Sequence, residues 1–153
     1  MQGEKRSSIL TGISGVHHVA EVLSQRGIIA LPTIRNTAAY DIIAVSQDGS
    51  KHANIQVKTN SGRNFWLMPQ PKKIRCGPRD FYVLLRRTEG EGASFDGFML
   101  TGKDARRRVQ QRMSQLSRIR TRKSFKKFPS VHVDGIYERA AMAWARRWKN
   151  WVI

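Results

Sequence analysis

The chain has 153 residues, 40% of them hydrophobic, enough for one domain with a core of ordinary size. Lys and Arg number 28 against 11 Asp and Glu, a formal net charge of +17. No apolar run reaches the roughly 18 residues of a spanning helix, and the single cysteine, Cys76, excludes both an intramolecular disulfide and a Cys-rich zinc site.

Residues 14–26 read as an amphipathic helix. Val16, Val19, Ala20 and Leu23 recur at helical spacing, Ser14 is the expected N-cap, and Gly27 ends the helix as its C′ residue. Ile28–Leu31 is a short strand stopped by Pro32, and residues 33–38 are a small, polar loop. Tyr40–Val45 is a β-type run, and Gln47-Asp48-Gly49-Ser50 is a turn signal. In the next run, Ala53–Thr59, Ile55 and Val57 alternate with Gln56 and Lys58, so one face is apolar and the other polar. These two strands form a hairpin around Asp48-Gly49.

Phe65–Met68 is a further strand. Residues 69–79 hold three prolines and four basic residues and read as a loop. Phe81–Leu85 and Phe95–Thr101 are the last strands, with a loop rich in Gly and Glu between them. A helix is expected from Lys103 to about residue 117, then a basic stretch without clear period to Phe128. A closing helix is expected over about 135–150, with Ile136, Ala140, Ala143, Trp144 and Trp148 on one side. With no internal repeat, the expectation is a single domain over 1–153, its core spanning about 14–117. The class is α/β or α+β, a mixed sheet flanked by helices.

The charge is a statement about partners. It points first to a nucleic-acid phosphate backbone, DNA or RNA, whose counterions Lys and Arg displace; a membrane surface is the weaker alternative. The first residues, Met1–Ser8, are polar and lack the apolar centre of a secretory leader, so an intracellular, cytoplasmic protein is expected. Between Lys103 and Lys127 stand eleven basic residues and one acid, Asp104. Arg106, Arg107, Arg108 and Arg112 fall on the expected helix; Arg118, Arg120, Arg122, Lys123, Lys126 and Lys127 follow. Lys72, Lys73, Arg75 and Arg79 form a second basic loop. Contacts of this kind position a protein on nucleic acid without reading sequence. Trp144, Trp148 and Trp151 are assigned to packing rather than base stacking.

The polar hairpin face is where chemistry is expected. Asp41 opens one strand among apolar neighbours, and Gln56 and Lys58 project from its partner two residues apart. A carboxylate, an amide oxygen and a lysine suit phosphodiester hydrolysis. Asp41 and Gln56 supply oxygens for a hard cation such as Mg²⁺ or Mn²⁺, and Lys58 orients or deprotonates the attacking water, or stabilises the growing negative charge. Glu21, on the preceding helix, would complete the site directly or through water. The plainer alternative is a solvent-facing polar strand face.

Four features taken together resemble the PD-(D/E)XK nuclease superfamily, in particular its Mrr-like and Holliday-junction-resolvase-like branches. A helix carries an acid within Val19-Ala20-Glu21-Val22-Leu23 and ends at Arg26-Gly27; a short strand follows; then come Tyr40-Asp41-Ile42-Ile43-Ala44 and Ile55-Gln56-Val57-Lys58-Thr59. The resemblance implies a restriction-endonuclease-like αβββαβ core and metal-dependent endonuclease activity on DNA. It implies Asp41, Gln56 and Lys58 as the catalytic set, Glu21 as the helix acid and the Val57 carbonyl as a further metal ligand. A homodimer, which would set two sites on opposite strands, is also family-like. Gln56 stands where Glu is commoner, although the Mrr-like branch is known for Gln. The alternative function is a non-catalytic DNA- or RNA-binding protein on the same fold. His17 and Glu21 share a helix face but lack a third zinc ligand, and Cys76 has no catalytic partner nearby in sequence. Asp80 reads as a strand-start residue or a remote acid.

Overall fold

The structure, a computed structural model, describes residues 7–34, 40–61, 65–88, 94–122 and 135–137. Helix α1 spans Ser8–Gln25 and begins two turns earlier than expected, because Ser7 caps it: its Oγ accepts the Ile9 N–H. Ser14 lies inside the helix and returns its hydroxyl to the Thr11 carbonyl. The early turns were hidden from periodicity because Ile9, Leu10 and Ile13 are exposed. The C-terminus is as expected. Gly27 takes φ 76°, its N–H bonds the Ser24 carbonyl, and the Ile28 N–H bonds that of Leu23. That double closure needs a left-handed residue, which glycine adopts without strain.

Strands β1 (Ile29–Pro32), β2 (Ile42–Val45), β3 (His52–Ser61), β5 (Asp80–Arg87) and β6 (Phe95–Thr101) form one sheet in the order β1-β2-β3-β5-β6. Only β3 and β5 run parallel. The β2–β3 hairpin is in the register Ile42↔Ile55 and Ala44↔Ala53. Its loop is longer than a two-residue turn, with Gly49 at φ 71°. Asp48 organises it. Hydrogen bonds from the Ser46 hydroxyl and from the N–H and hydroxyl of Ser50 lower its pKa to about 2.

The connection from β3 to its parallel neighbour differs from the expected αβββαβ order. It runs through the short strand β4 (Phe65–Leu67) and a 3₁₀ turn at Pro71–Lys73, with no α-helix among the described residues. Pro69, Pro71 and Pro78 remove the amide donors and φ freedom that a helix there would need. The second helix, α2 (Gly102–Arg122), follows β6 instead. Thr101 caps it, accepting the Asp104 N–H and donating to the Asp104 carboxylate. The C-terminal helix is corrected at its start: Gly135–Tyr137 form strand β7, antiparallel to β4. Ile136 and Tyr137 are good strand residues, and β4 offers an edge. Residues 138–150 of that expected helix, with Trp144 and Trp148, and Trp151 beyond it, lie outside the described residues.

The core has two parts because β5 is buried on both faces. Val83 and Leu85 pack with Ile42, Ile55, Val57 and Met99 beneath α1, which lays Val19 and Leu23 on them. Tyr82 and Leu84 point the other way and pack with Trp66, Ile74, Phe98, Leu100 and α2's Ala105 and Val109. The result is a three-layer α/β/α arrangement. A strand covered on both sides reads as an unbroken apolar run, as Phe81–Leu85 does. The buried Trp66 Nε1 donates to the Leu85 carbonyl at 2.7 Å, so its polar atom is satisfied.

Helix α1 approaches β3 closely. A Cβ built on Gly15 would sit 1.9 Å from the Thr59 Oγ1, whereas one on Gly12 would meet nothing within 4 Å. Gly15→Ala is therefore expected to destabilise the fold by about 1–3 kcal/mol through overpacking. Gly12→Ala should be neutral or stabilising by up to about 1 kcal/mol through helix propensity. Urea unfolding of the two variants checks the contrast; equal effects would mean that α1 does not lie on β3 through Gly15.

Candidate functional site

Strand β2 stops opposite Ile55, yet β3 runs on to Ser61 with a partner only on the β5 side. Asp41 stands at that stop. Its N–H bonds the Ile55 carbonyl at 2.9 Å and its carbonyl accepts the Thr33 N–H at 2.9 Å, so its backbone is locked between β1's end and β3. Its side chain reaches past the end of the ladder. Oδ2 accepts the Val57 N–H at 2.7 Å and a short hydrogen bond from Gln56 Nε2. Oδ1 accepts no hydrogen bond among the described residues. A strand's N–H and C=O at one residue point to the same side, so the Val57 carbonyl opens towards the same edge.

Around this point lies an open cavity of about 310 Å³. Asp41, Gln56, Val57 and Lys58 line it, together with Gly12, Ile13, Val16 and His17 of α1, Pro32–Ile34 and Tyr40. The residues expected on the hairpin are thus brought together. Asp41, Gln56 and Lys58 are each half-buried, a setting in which a charge interacts more strongly than on an open surface.

Glu21 is not among them. It is exposed, accepts a hydrogen bond from Gln25 Nε2, and lines a second, shallower cavity with Ser14, His17, His18, Ser94 and Phe95. The cause is helical phase: Val16 lines the Asp41 cavity, and Glu21, five residues on, is turned well away from it. His17 lines both cavities. His18, stacked on Phe95 at 4.6 Å, lies 4.0 Å from the Glu21 carboxylate. No cluster of three His, Cys, Asp or Glu suited to a metal ion occurs among the described residues.

Sequence reading missed the support behind Asp41. Asp80, at the start of β5, is one of only two buried polar or charged side chains among the described residues. It accepts hydrogen bonds from the Tyr40 hydroxyl (3.0 Å), Asn54 Nδ2 (3.1 Å) and the Gly77 N–H (2.8 Å). Burial pushes its pKa up, but those bonds and the nearby Arg75 charge outweigh burial and hold it below the usual carboxylate range. Tyr40 is the residue before Asp41, so a buried anion on β5 fixes the chain at the site. The one legible signal was an acid placed directly before the apolar run Phe81–Leu85.

The basic residues fall into different roles. Arg106 is engaged in the fold: its Nε and Nη2 donate to the Ile74 carbonyl at 3.2 and 2.6 Å, tying α2 to the proline-rich loop. Arg107 is exposed and pairs with Asp104 at 2.9 Å. Arg108 and Arg112 bury their Nε atoms. Lys72, Lys73, Arg75 and Arg79 are exposed around the 3₁₀ turn. Arg118, Arg120 and Arg122 lie in the last turns of α2, where the backbone alone is described; Lys123, Lys126 and Lys127 lie outside the described residues. Arg106→Ala is therefore expected to cost about 1.5–3 kcal/mol of stability while leaving the salt dependence of any nucleic-acid binding unchanged. Arg107→Ala is expected to leave stability within about 0.5 kcal/mol and to flatten the log K–log salt slope by up to about 0.9. Unfolding and binding titrations on both variants would expose a reversed pattern.

No helix among the described residues is long and apolar enough to cross a membrane. The chain matches no protein-family model and no curated protein.

Proposed function

We propose that this protein is a metal-dependent endonuclease that hydrolyses DNA phosphodiester bonds, on a restriction-endonuclease-like scaffold of PD-(D/E)XK type. The observation that carries the reading is the convergence of Asp41, Gln56, Val57 and Lys58 on one cavity at the end of β2. The donor set fits a hard cation. Asp41 Oδ1 would hold it, with the Val57 carbonyl and Gln56 Oε1, the latter after its amide turns about its last bond; oxygen and nitrogen of an amide are exchanged by that turn. When bound, such an ion, Mg²⁺ or Mn²⁺, lowers the pKa of water and polarises the phosphoryl oxygens.

The chain's own residues do the rest. Asp41 is held in place by the Val57 N–H, so it costs no reorganisation when substrate arrives. Lys58, two residues from Gln56, donates to the attacking water or to the non-bridging oxygen that gains charge. The net charge of +17 draws the polyanion to the site. Two copies related by a two-fold axis would address both strands of a duplex.

One observation favours a second reading, a non-catalytic DNA- or RNA-binding protein. The Asp41 carboxylate already serves a structural need, satisfying the Val57 N–H left open where β2 stops and holding the Gln56 amide. Cleavage of branched, duplex and single-stranded DNA, with Mg²⁺ or Mn²⁺ and with chelator, separates the two. Binding without metal-dependent cleavage of any of these would favour the binder.

A further inference from the structure

We propose that Arg75 is the phosphate clamp of this site, held beside it by Tyr40 and Asp80, and that it takes a DNA backbone phosphate neighbouring the one at Asp41. The proposal rests on the nuclease reading for the role of that second phosphate, but not for the binding itself.

Three contacts fix the main chain of Arg75. The preceding residue, Ile74, is fully buried, and its carbonyl receives the Arg106 guanidinium. The Arg75 main chain lies against the Tyr82 hydroxyl, whose pKa burial raises and this neighbour opposes. The Arg75 carbonyl packs so tightly against the start of α2 that a Cβ on Gly102 would lie 2.2 Å from it. The side chain is exposed but not loose. Its guanidinium carbon lies 5.1 Å from the centre of the Tyr40 ring, and Nη1 is 3.5 Å from the Tyr40 hydroxyl. That hydroxyl in turn donates to the buried Asp80.

The arrangement suits a second anion. A guanidinium has five N–H donors in a fixed fork. The long contact to Tyr40 engages one of them, and among the described residues no carboxylate lies within ion-pair distance of Arg75. Stacking on an aromatic face leaves the edges of the fork open, which is the geometry that grips two oxygens of one phosphate. Tyr40 lines the Asp41 cavity and Arg75 contacts Tyr40, so the fork stands one residue beyond the cavity's lining. Lys72 and Lys73 of the same loop lack this support, exposed on the 3₁₀ turn, and Arg79 contacts the His52 ring at 3.0 Å instead. Asp80 and Tyr40 act through Arg75 and are positioning residues.

The test is the affinity of a short fluorescent DNA duplex in chelator, where no turnover occurs, for the parent, Arg75→Ala, Arg75→Lys, Tyr40→Phe and Lys72→Ala. Arg75→Ala should weaken binding about tenfold, the size of one charge-assisted hydrogen-bonded contact, and clearly more than Lys72→Ala. Arg75→Lys should not restore it, because an ammonium neither stacks nor forks. Tyr40→Phe keeps the ring but cuts the link to Asp80, and should fall in between. Where the parent cleaves DNA, Arg75→Ala should raise KM with kcat little changed, the mark of a contact made equally in ground and transition state. Should Arg75→Ala fold poorly, Arg75→Lys, which keeps stem and charge, decides alone. Equal losses for Arg75→Ala and Lys72→Ala, full rescue by lysine, or no DNA binding by the parent would overturn the clamp. A parent that binds without cleaving, yet shows this pattern of affinities, would keep the clamp and remove the nuclease reading.

Discussion

On the proposed nuclease reading, Lys58→Ala is expected to abolish metal-dependent DNA cleavage while leaving DNA affinity within about twofold of the parent. The separation follows from the numbers. One lysine faces the cavity at Asp41, but the net charge falls only from +17 to +16. Loss of one charge among many changes the salt slope by at most about 0.9, and only if that lysine sat on a phosphate in the ground state. A cation that acts where charge develops contributes chiefly in the transition state; removing a comparable donor typically lowers kcat about 10²–10³-fold. The measurement is single-turnover cleavage beside equilibrium binding at one salt concentration, with unfolding midpoints to show that the fold survives. A variant that cleaves like the parent would remove Lys58 from the chemistry. A variant that loses binding and cleavage in proportion would make it an ordinary phosphate contact.

The hairpin bearing this site was legible because two local rules coincide there. Strand alternation puts Ile55 and Val57 on one side and Gln56 and Lys58 on the other, and Asp48-Gly49 marks the reversal. The end of α1 was legible for a similar reason: Gly27 is the left-handed closure of a helix whose apolar stripe stops at Leu23. What the sequence hid depends on contacts between distant residues. The pairing of β4 with β7 joins residue 66 to residue 136, so the segment after Gly135 reads as helix until its strand partner is known. Arg106 has the same composition signal as Arg107, and only the position of the Ile74 carbonyl assigns it to the fold. Glu21 sits on the expected helix, but the exact phase of α1 over the sheet decides which cavity it faces. The hydrogen bond from the Val57 N–H to Asp41 depends on where β2 ends, a boundary that residue types do not mark.

Gln56→Glu should reveal whether Asp41 and residue 56 share a cation. In the parent, the Gln56 amide donates to the Asp41 carboxylate. A glutamate there would set two carboxylates in contact, with no donor between them. Without metal the variant should be less stable than the parent by about 1–3 kcal/mol at neutral pH, since a favourable bond is replaced by like-charge repulsion. The sign with pH follows from linkage. Repulsion raises the pKa of the pair in the folded state, so the native form binds a proton more readily than the unfolded chain. The deficit should be full above that raised pKa and shrink as pH falls through it. A divalent cation should act in the same direction as the proton, and more strongly than in the parent, because an anionic oxygen holds Mg²⁺ better than an amide oxygen does. At a concentration of about 100 Kd, that binding would return about 2.7 kcal/mol. Asp41→Asn should show the opposite response, with little stabilisation by metal at any concentration. The measurement is urea unfolding of the three proteins across pH, with Mg²⁺ or Mn²⁺ and with chelator. If the ion stabilises Gln56→Glu no more than the parent, the two side chains do not share it. Asp41 is then the residue that closes the end of β2, and nucleic-acid binding without cleavage becomes the better account of the site.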